Sequence, residues 1–193
     1  MEFVKICREI AAVLEMFFRT KGGVVEAAVS AIVTSLRSGG KILIFGNGGS
    51  AAEAQHFAAE LVNKFLKERP ALPAISLTTD TSLITSIGND KSFDRIFSRQ
   101  IEALGRKGDV AIALSTSGNS PNVIEGLRAA KTVGMVTIAL AGKGGGKLAE
   151  TPGAAPDYLI DVPSKSVPRI QEAHLVILHM IAEEIEKQVG VKS

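Results

Sequence analysis

At 193 residues, with 46% hydrophobic and 22% charged residues, the chain is sized for one packed core and carries no composition of disorder. A net charge of +2, no Trp and a single Tyr argue against a nucleic-acid or acidic-membrane partner, since neither a basic field nor stacking platforms are present. Cys7 is the only cysteine and cannot form an internal disulfide, which fits a reducing cytoplasm and a small apolar packing residue.

The first segment, residues 2–18, places Phe3, Ile6, Ile10, Val13, Leu14 and Phe17 at helical spacing, an apolar stripe too rich for a solvent-facing helix. Glu2, Lys5, Arg8, Glu9 and Glu15 interrupt it, so neither a signal peptide nor a membrane span is expected. After the Gly22-Gly23 break a second helix is predicted over 24–36. Two helices ahead of the first strand, both in need of apolar partners, point to packing across a subunit interface.

From Lys41 onward short apolar runs alternate with helical segments. Strands are predicted at 42–45, 74–77, 110–114, 135–140 and 158–162, and helices near 50–68, 92–104, 120–132 and 143–150. This alternation predicts a parallel sheet with helices on both faces. A long helix over 168–189 closes the chain, with Pro168 suited to its first turn. Lys143 to Lys147, KGGGK, reads as a loop that matches no functional motif.

In an open parallel sheet, ligands bind beyond the carboxyl ends of the strands, so the loops there are the places to look. After the first strand comes Gly46-Asn47-Gly48-Gly49-Ser50 and then a helix bearing His56 and Glu60. A glycine turn at a helix start offers backbone N–H groups to an anion or polar ligand. His56 and Glu60, at i and i+4, project from one face. Gly46, Gly48 and Ala51 satisfy the dinucleotide pattern G-x-G-x-x-G/A, but the acidic residue expected about 20 positions on is missing, and no nucleotide cofactor is expected.

After the second strand, Thr78-Thr79-Asp80 and Gly88-Asn89-Asp90 read as turns and caps that could also reach a polyol. After the third, Ser115-Thr116-Ser117-Gly118-Asn119-Ser120-Pro121 opens a helix. A plain N-cap uses one or two hydroxyls; four beside a helix N-terminus predict a phosphate site that needs no lysine. On the last helix Gln171 and His179 lie about 80° apart around the axis and share a broad face. His174 reads as a packing or interface histidine.

The ordered set GNGGSAAEAQHFAAEL, LTTDTSLITSIGND, LSTSGNSPN and RIQEAHLVILH resembles the sugar isomerase (SIS) domain family over nearly the whole chain. The resemblance implies a three-layer α/β/α fold with a five-stranded parallel sheet in the order 2-1-3-4-5. It also implies one SIS domain over 1–193, with a helical arm at 1–38 and the α/β core and last helix over 39–193, assembled as a cytoplasmic homotetramer. The most similar members interconvert sedoheptulose 7-phosphate and glycero-manno-heptose 7-phosphate on the way to nucleotide-activated heptose. By the same resemblance Glu60 is the catalytic base and His179 the catalytic acid. Asn47, Gly48, Gly49, Glu60, Asn89, Asp90 and Gln171 would contact the sugar, with Ser115, Thr116, Ser117 and Ser120 around its phosphate. Some members bind one zinc ion per subunit through residues matching His56, Glu60, Gln171 and His179. A relative on the same scaffold that binds a replication-initiation protein lacks the pair matching Glu60 and His179, both of which this chain has. An isomerase of another sugar phosphate stays open, because a phosphate site does not count carbons. For the base, shielding by Phe57 and Leu61 is expected.

Overall fold

The structure, a computed structural model, describes residues 2–189; Met1 and residues 190–193, the two ends of the expected 1–193 domain, lie outside it. Two helices, α1 (Glu2–Lys21) and α2 (Gly23–Arg37), precede the sheet. Then follow β1 (Ile42–Gly46), α3 (Gly49–Val62), β2 (Ala74–Ser76), α4 (Thr81–Asp90), a 3₁₀ turn (Phe93–Arg95), α5 (Ser98–Leu104) and β3 (Val110–Ser115). The chain continues through α6 (Pro121–Val133), β4 (Val136–Gly142), α7 (Gly146–Glu150), β5 (Tyr158–Val162) and α8 (Val167–Val189). All strand pairs are parallel and their order is β2-β1-β3-β4-β5, as the family resemblance implied.

Alternation along the strands builds two cores. Ile42, Ile44, Val110, Ile112 and Leu114 face one layer with residues of α1, α2, α3 and α8. Leu43, Phe45, Ala111 and Ala113 face the other with residues of α5, α6 and α7. Both faces of β1 and β3 are buried throughout, which is why these strands read as unbroken apolar runs. Among the described residues no helix is long and apolar enough to cross a membrane.

Four stretches differ from the sequence reading. The helix predicted over 50–68 stops at Val62, where Arg69 donates to the carbonyls of Glu60 and Leu61 and ends the ladder. Residues 81–87, to which the sequence reading gave no element, and Gly88-Asn89-Asp90, read as a turn or cap, form α4; Asp80, read as a turn or cap, is its N-cap and accepts a hydrogen bond from the Leu83 N–H. The segment predicted as one helix over 92–104 is split into the 3₁₀ turn and α5. Strand β4 reaches Gly142, and α7 starts only at Gly146. Between them Lys143, Gly144, Gly145 and Gly146 take four successive positive φ values of 58°, 83°, 82° and 55°, a path that mainly glycine allows.

Candidate active site

Strand β1 has β2 on one side and β3 on the other, so the connections leaving β1 and β3 diverge and open a crevice between their carboxyl ends. The Gly46 turn and the Ser115 loop face each other there, since Gly46 is paired with Leu114 across the sheet. Gly46 tolerates no side chain, because a Cβ would stand 2.8 Å from the Leu114 carbonyl oxygen.

Asn47 meets a partner that sequence reading missed. Its Nδ2 donates to Asn122 Oδ1 at 2.8 Å, and Asn122 Nδ2 donates back to Asn47 Oδ1 at 2.9 Å. Asn122 is buried in the first turn of α6. The reciprocal pair fixes the Asn47 amide and bridges the two loops, with one N–H and one lone pair of each amide left over. Gly48 starts α3 with φ +56°. Gly49 lies so close to α8 that a Cβ would be 2.4 Å from Gln171 Nε2, which places Gln171 against the glycine turn.

The hydroxyls of the Ser115 loop bond to one another and to the loop backbone and do not cap α6. Ser120 is the N-cap of α6 but makes no side-chain cap bond; its hydroxyl stands 3.3 Å from that of Ser115. Ser117 Oγ accepts from the Asn119 N–H at 3.2 Å. Ser115 is buried, whereas Thr116, Ser117 and Ser120 are half-buried. Gly118, at φ +65°, turns the loop around this group. These hydroxyls stand at the N-terminal end of α6, where the helix dipole is positive; Pro121 carries no N–H, and the N–H groups of Val123 and Ile124 bond to the Ser120 carbonyl.

Further along the same two helices, α3 and α8 bring three ionisable side chains together, with His56 exposed and Glu60 half-buried. His56 Nε2 lies 2.8 Å from His179 Nε2 and 3.4 Å from Glu60 Oε1. The two imidazole rings meet edge to face at 5.0 Å, and Phe65 packs on the other side of His179 at 5.4 Å. For the nitrogen–nitrogen contact to be a hydrogen bond, one ring must donate and the other accept. The expected shielding of Glu60 is partial: Phe57 and Leu61 turn into the core, and the Glu60 side chain keeps 21% of its exposure. Asn89 and Asp90 are exposed in the last turn of α4, where Asn89 Nδ2 donates to Asp90 Oδ1. His174 is fully buried, its Nε2 3.0 Å from the Ala141 carbonyl oxygen, the packing role expected of it.

The family model of the SIS domain matches residues 5–142. The chain belongs to the SIS domain family. Within that family its curated relatives include the phosphoheptose isomerase of Aquifex aeolicus, 50% identical over 189 residues that cover 98% of this chain and 97% of that protein. A second, the phosphoheptose isomerase of Desulfovibrio desulfuricans, is 51% identical over 176 residues, 91% of this chain and 82% of that one. Among solved structures, the phosphoheptose isomerase of Neisseria gonorrhoeae superposes with a TM-score of 0.88 at 41% identity, covering 96% of this chain and 97% of its own. That of Francisella tularensis gives 0.90 at 35% identity with the same coverage. In this SIS domain the glycine turn and the hydroxyl-rich loop thus flank the β1/β3 switch point, while the carboxylate–imidazole cluster lies between α3 and α8.

Proposed function

We propose that the chain is an aldose–ketose isomerase that converts sedoheptulose 7-phosphate into D-glycero-D-manno-heptose 7-phosphate. The observation that carries this reading is the His56–Glu60–His179 cluster on α3 and α8, the two helices that meet at the glycine turn through Gly49 and Gln171. The names of the relatives at about 50% identity agree with it.

The reaction moves one carbon-bound proton and rearranges two oxygens. Glu60 takes a proton from C1, beside the ketose carbonyl at C2, while His179 donates to O2, leaving a neutral enediol. Return of the proton from Glu60 to C2 and removal of the O1 proton by the His179 imidazole then give the aldose. The sugar chain lies along Asn47, Gly48, Gly49 and Gln171, and the phosphate takes hydrogen bonds from Ser115, Thr116, Ser117 and Ser120. Asn89 and Asp90 complete the sugar contacts from α4.

One zinc ion per subunit belongs to the same reading, held by His56, Glu60, Gln171 and His179. Two imidazole nitrogens and a carboxylate suit zinc, while an amide oxygen is an unusual ligand. Among the described residues no group of three His, Cys, Asp or Glu already stands ready to hold a metal; the His56 and His179 Nε2 atoms are 2.8 Å apart. Two nitrogens on one tetrahedral zinc are about 3.3 Å apart, so the rings must part by about half an ångström. A bound ion supplies Lewis-acid charge to the reacting oxygens. Metal analysis of purified enzyme, with turnover before and after chelation, is expected to find zinc and a loss of rate; metal-free protein at full rate removes the ion from the reading.

A homotetramer is proposed as the assembled form, supported by the apolar residues Phe3, Val4, Ile6 and Met16 that α1 leaves exposed. Action in the cytoplasm, ahead of nucleotide-activated heptose and lipopolysaccharide synthesis, follows from the same substrate. The decisive test is Glu60→Gln, assayed by NMR on sedoheptulose 7-phosphate. Turnover is expected to fall about 100-fold or more while sugar-phosphate binding persists, and near-normal turnover would falsify the assignment.

A further inference from the structure

Arg69 and Glu186 form the most buried ion pair among the described residues, with side chains only 1% and 2% exposed. Desolvation offsets much of the attraction between two such charges, so stability alone is a weak reason for the pair. What each group holds is more informative. Glu186 Oε2 accepts from the N–H groups of Leu66 and Lys67, both at 3.0 Å, and Oε1 accepts from that of Phe65 at 3.2 Å. Three consecutive amides therefore turn towards one carboxylate, a concavity for an anion filled from within the chain.

Arg69 works on the other side of the same loop. Its Nη2 donates to the Glu60 carbonyl at 2.7 Å and its Nη1 to the Leu61 carbonyl at 2.8 Å. These carbonyls belong to the last turn of α3, where intrahelical donors have run out. The Nε lies 3.3 Å from Glu186 Oε1 without a directed hydrogen bond, so the ion pair serves mainly to hold the two forks side by side. The guanidinium thus grips the backbone of the residue that bears the base. The carboxylate fixes Phe65, whose ring packs on His179 at 5.4 Å. Glu186 also sits seven residues beyond His179 on α8, two helical turns along nearly the same stripe.

We infer that Arg69 and Glu186 are positioning residues for the isomerisation, setting the approach of Glu60 to His56 and His179 through the Glu60 backbone and the Phe65 ring. The inference rests on the isomerase reading. Neither residue has a catalytic role of its own, and their loss acts through geometry alone, where a misplacement of about 1 Å can cost about 100-fold in rate.

The experiment is steady-state kinetics of Glu186→Gln and Arg69→Lys with sedoheptulose 7-phosphate, together with kcat against pH and thermal melting. Both variants keep the bulk of the side chain, but the first loses the charge and the second loses the fork that reaches two carbonyls at once. The expected result is a fall in kcat of about 10- to 100-fold with KM within about threefold, because the glycine turn and hydroxyl loop are untouched. A displaced pH profile of kcat is expected too, since the Glu60–His56–His179 geometry has changed. A merely structural role would reduce the amount of active enzyme and leave the shape of that profile alone, and this outcome overturns the inference, as does an unchanged kcat. If both variants fail to melt cooperatively, Phe65→Leu carries the same test at a half-buried position, and normal kcat there overturns it. Wild-type protein inactive on the sugar phosphate would instead sink the isomerase reading itself.

Discussion

At the scale of single residues the two ends of the substrate are handled by different chemistry. The phosphate is remote from the reacting carbons, so contacts made by Ser115 and Ser117 bind ground and transition states alike. The double variant Ser115→Ala, Ser117→Ala is therefore expected to raise KM for a seven-carbon sugar phosphate strongly and to lower kcat little. Steady-state kinetics decide this, and an unchanged KM places the phosphate elsewhere. The hydroxyl loop was legible because four Ser and Thr exceed what a helix cap requires; Ser120, the N-cap, makes no side-chain cap bond and pairs with Ser115 instead. Asn122 was not legible. Its reason for being there is a reciprocal bond to a residue 75 positions earlier, and no local pattern announces a tertiary amide pair. Arg69 and Glu186 were hidden in the same way, since their partners are backbone groups, which leave no mark on sequence.

At the scale of elements, what decided each miss was a tertiary contact overruling a local preference. Asn63 to Glu68 reads as helix because its side chains favour one, yet Arg69 and Glu186 take the carbonyls and amides that the helix would have used. The five strands were legible because burial on both faces leaves long apolar runs. The KGGGK loop carried no motif, and its role is visible only in contact with the hydroxyl loop. The Lys147 N–H donates to Asn119 Oδ1 and the Leu148 N–H to the Gly118 carbonyl. A Cβ on Gly118 would stand 1.8 Å from the Gly145 carbonyl oxygen. The β4–α7 turn is thus a brace moulded against the phosphate loop, possible because glycine at both contacts lets backbone meet backbone. Gly118→Ala must push the two loops apart and also force an alanine into φ +65°. It is expected to destabilise the fold by about 1 kcal/mol or more and to raise KM, while kcat at saturation stays near normal because Glu60 and His179 sit on α3 and α8. Unfolding midpoints and kinetics measured on the same preparation check both halves; an unchanged KM would show that the brace is not needed to shape the anion site.

At the scale of the whole molecule, two buried ionisable groups in the α3–α8 layer oppose each other as pH changes. Glu53, on the core-facing side of α3, is 9% exposed and has one carboxylate oxygen without a partner. Burial pushes its carboxyl up from 4.5 to about 7, against the pull of a Ser50 hydrogen bond. Burial pushes His174 down from 6.5 to about 4, against the Ala141 carbonyl and the charge of Asp161. Their signs follow from which state binds more protons. Between pH 4.5 and 7 the folded chain keeps a proton on Glu53 that the unfolded chain has lost, so this contribution is complete below pH 4.5 and disappears as pH rises through 7. Between pH 4 and 6.5 the unfolded chain protonates the His174 position while the folded chain does not, so that contribution is complete above pH 6.5 and disappears as pH falls through 4. In the overlap the two slopes have opposite sign and flatten the stability of the native protein. Glu53→Gln removes one of them. The variant is expected to miss the gain in stability that the native protein shows on going from pH 8 to pH 6. It is then expected to lose stability from pH 6.5 towards pH 4, where the native protein stays nearly level. Urea midpoints at half-unit steps of pH make the comparison, and parallel curves for the two proteins would show that Glu53 is ionised in the folded state at neutral pH like any surface carboxylate.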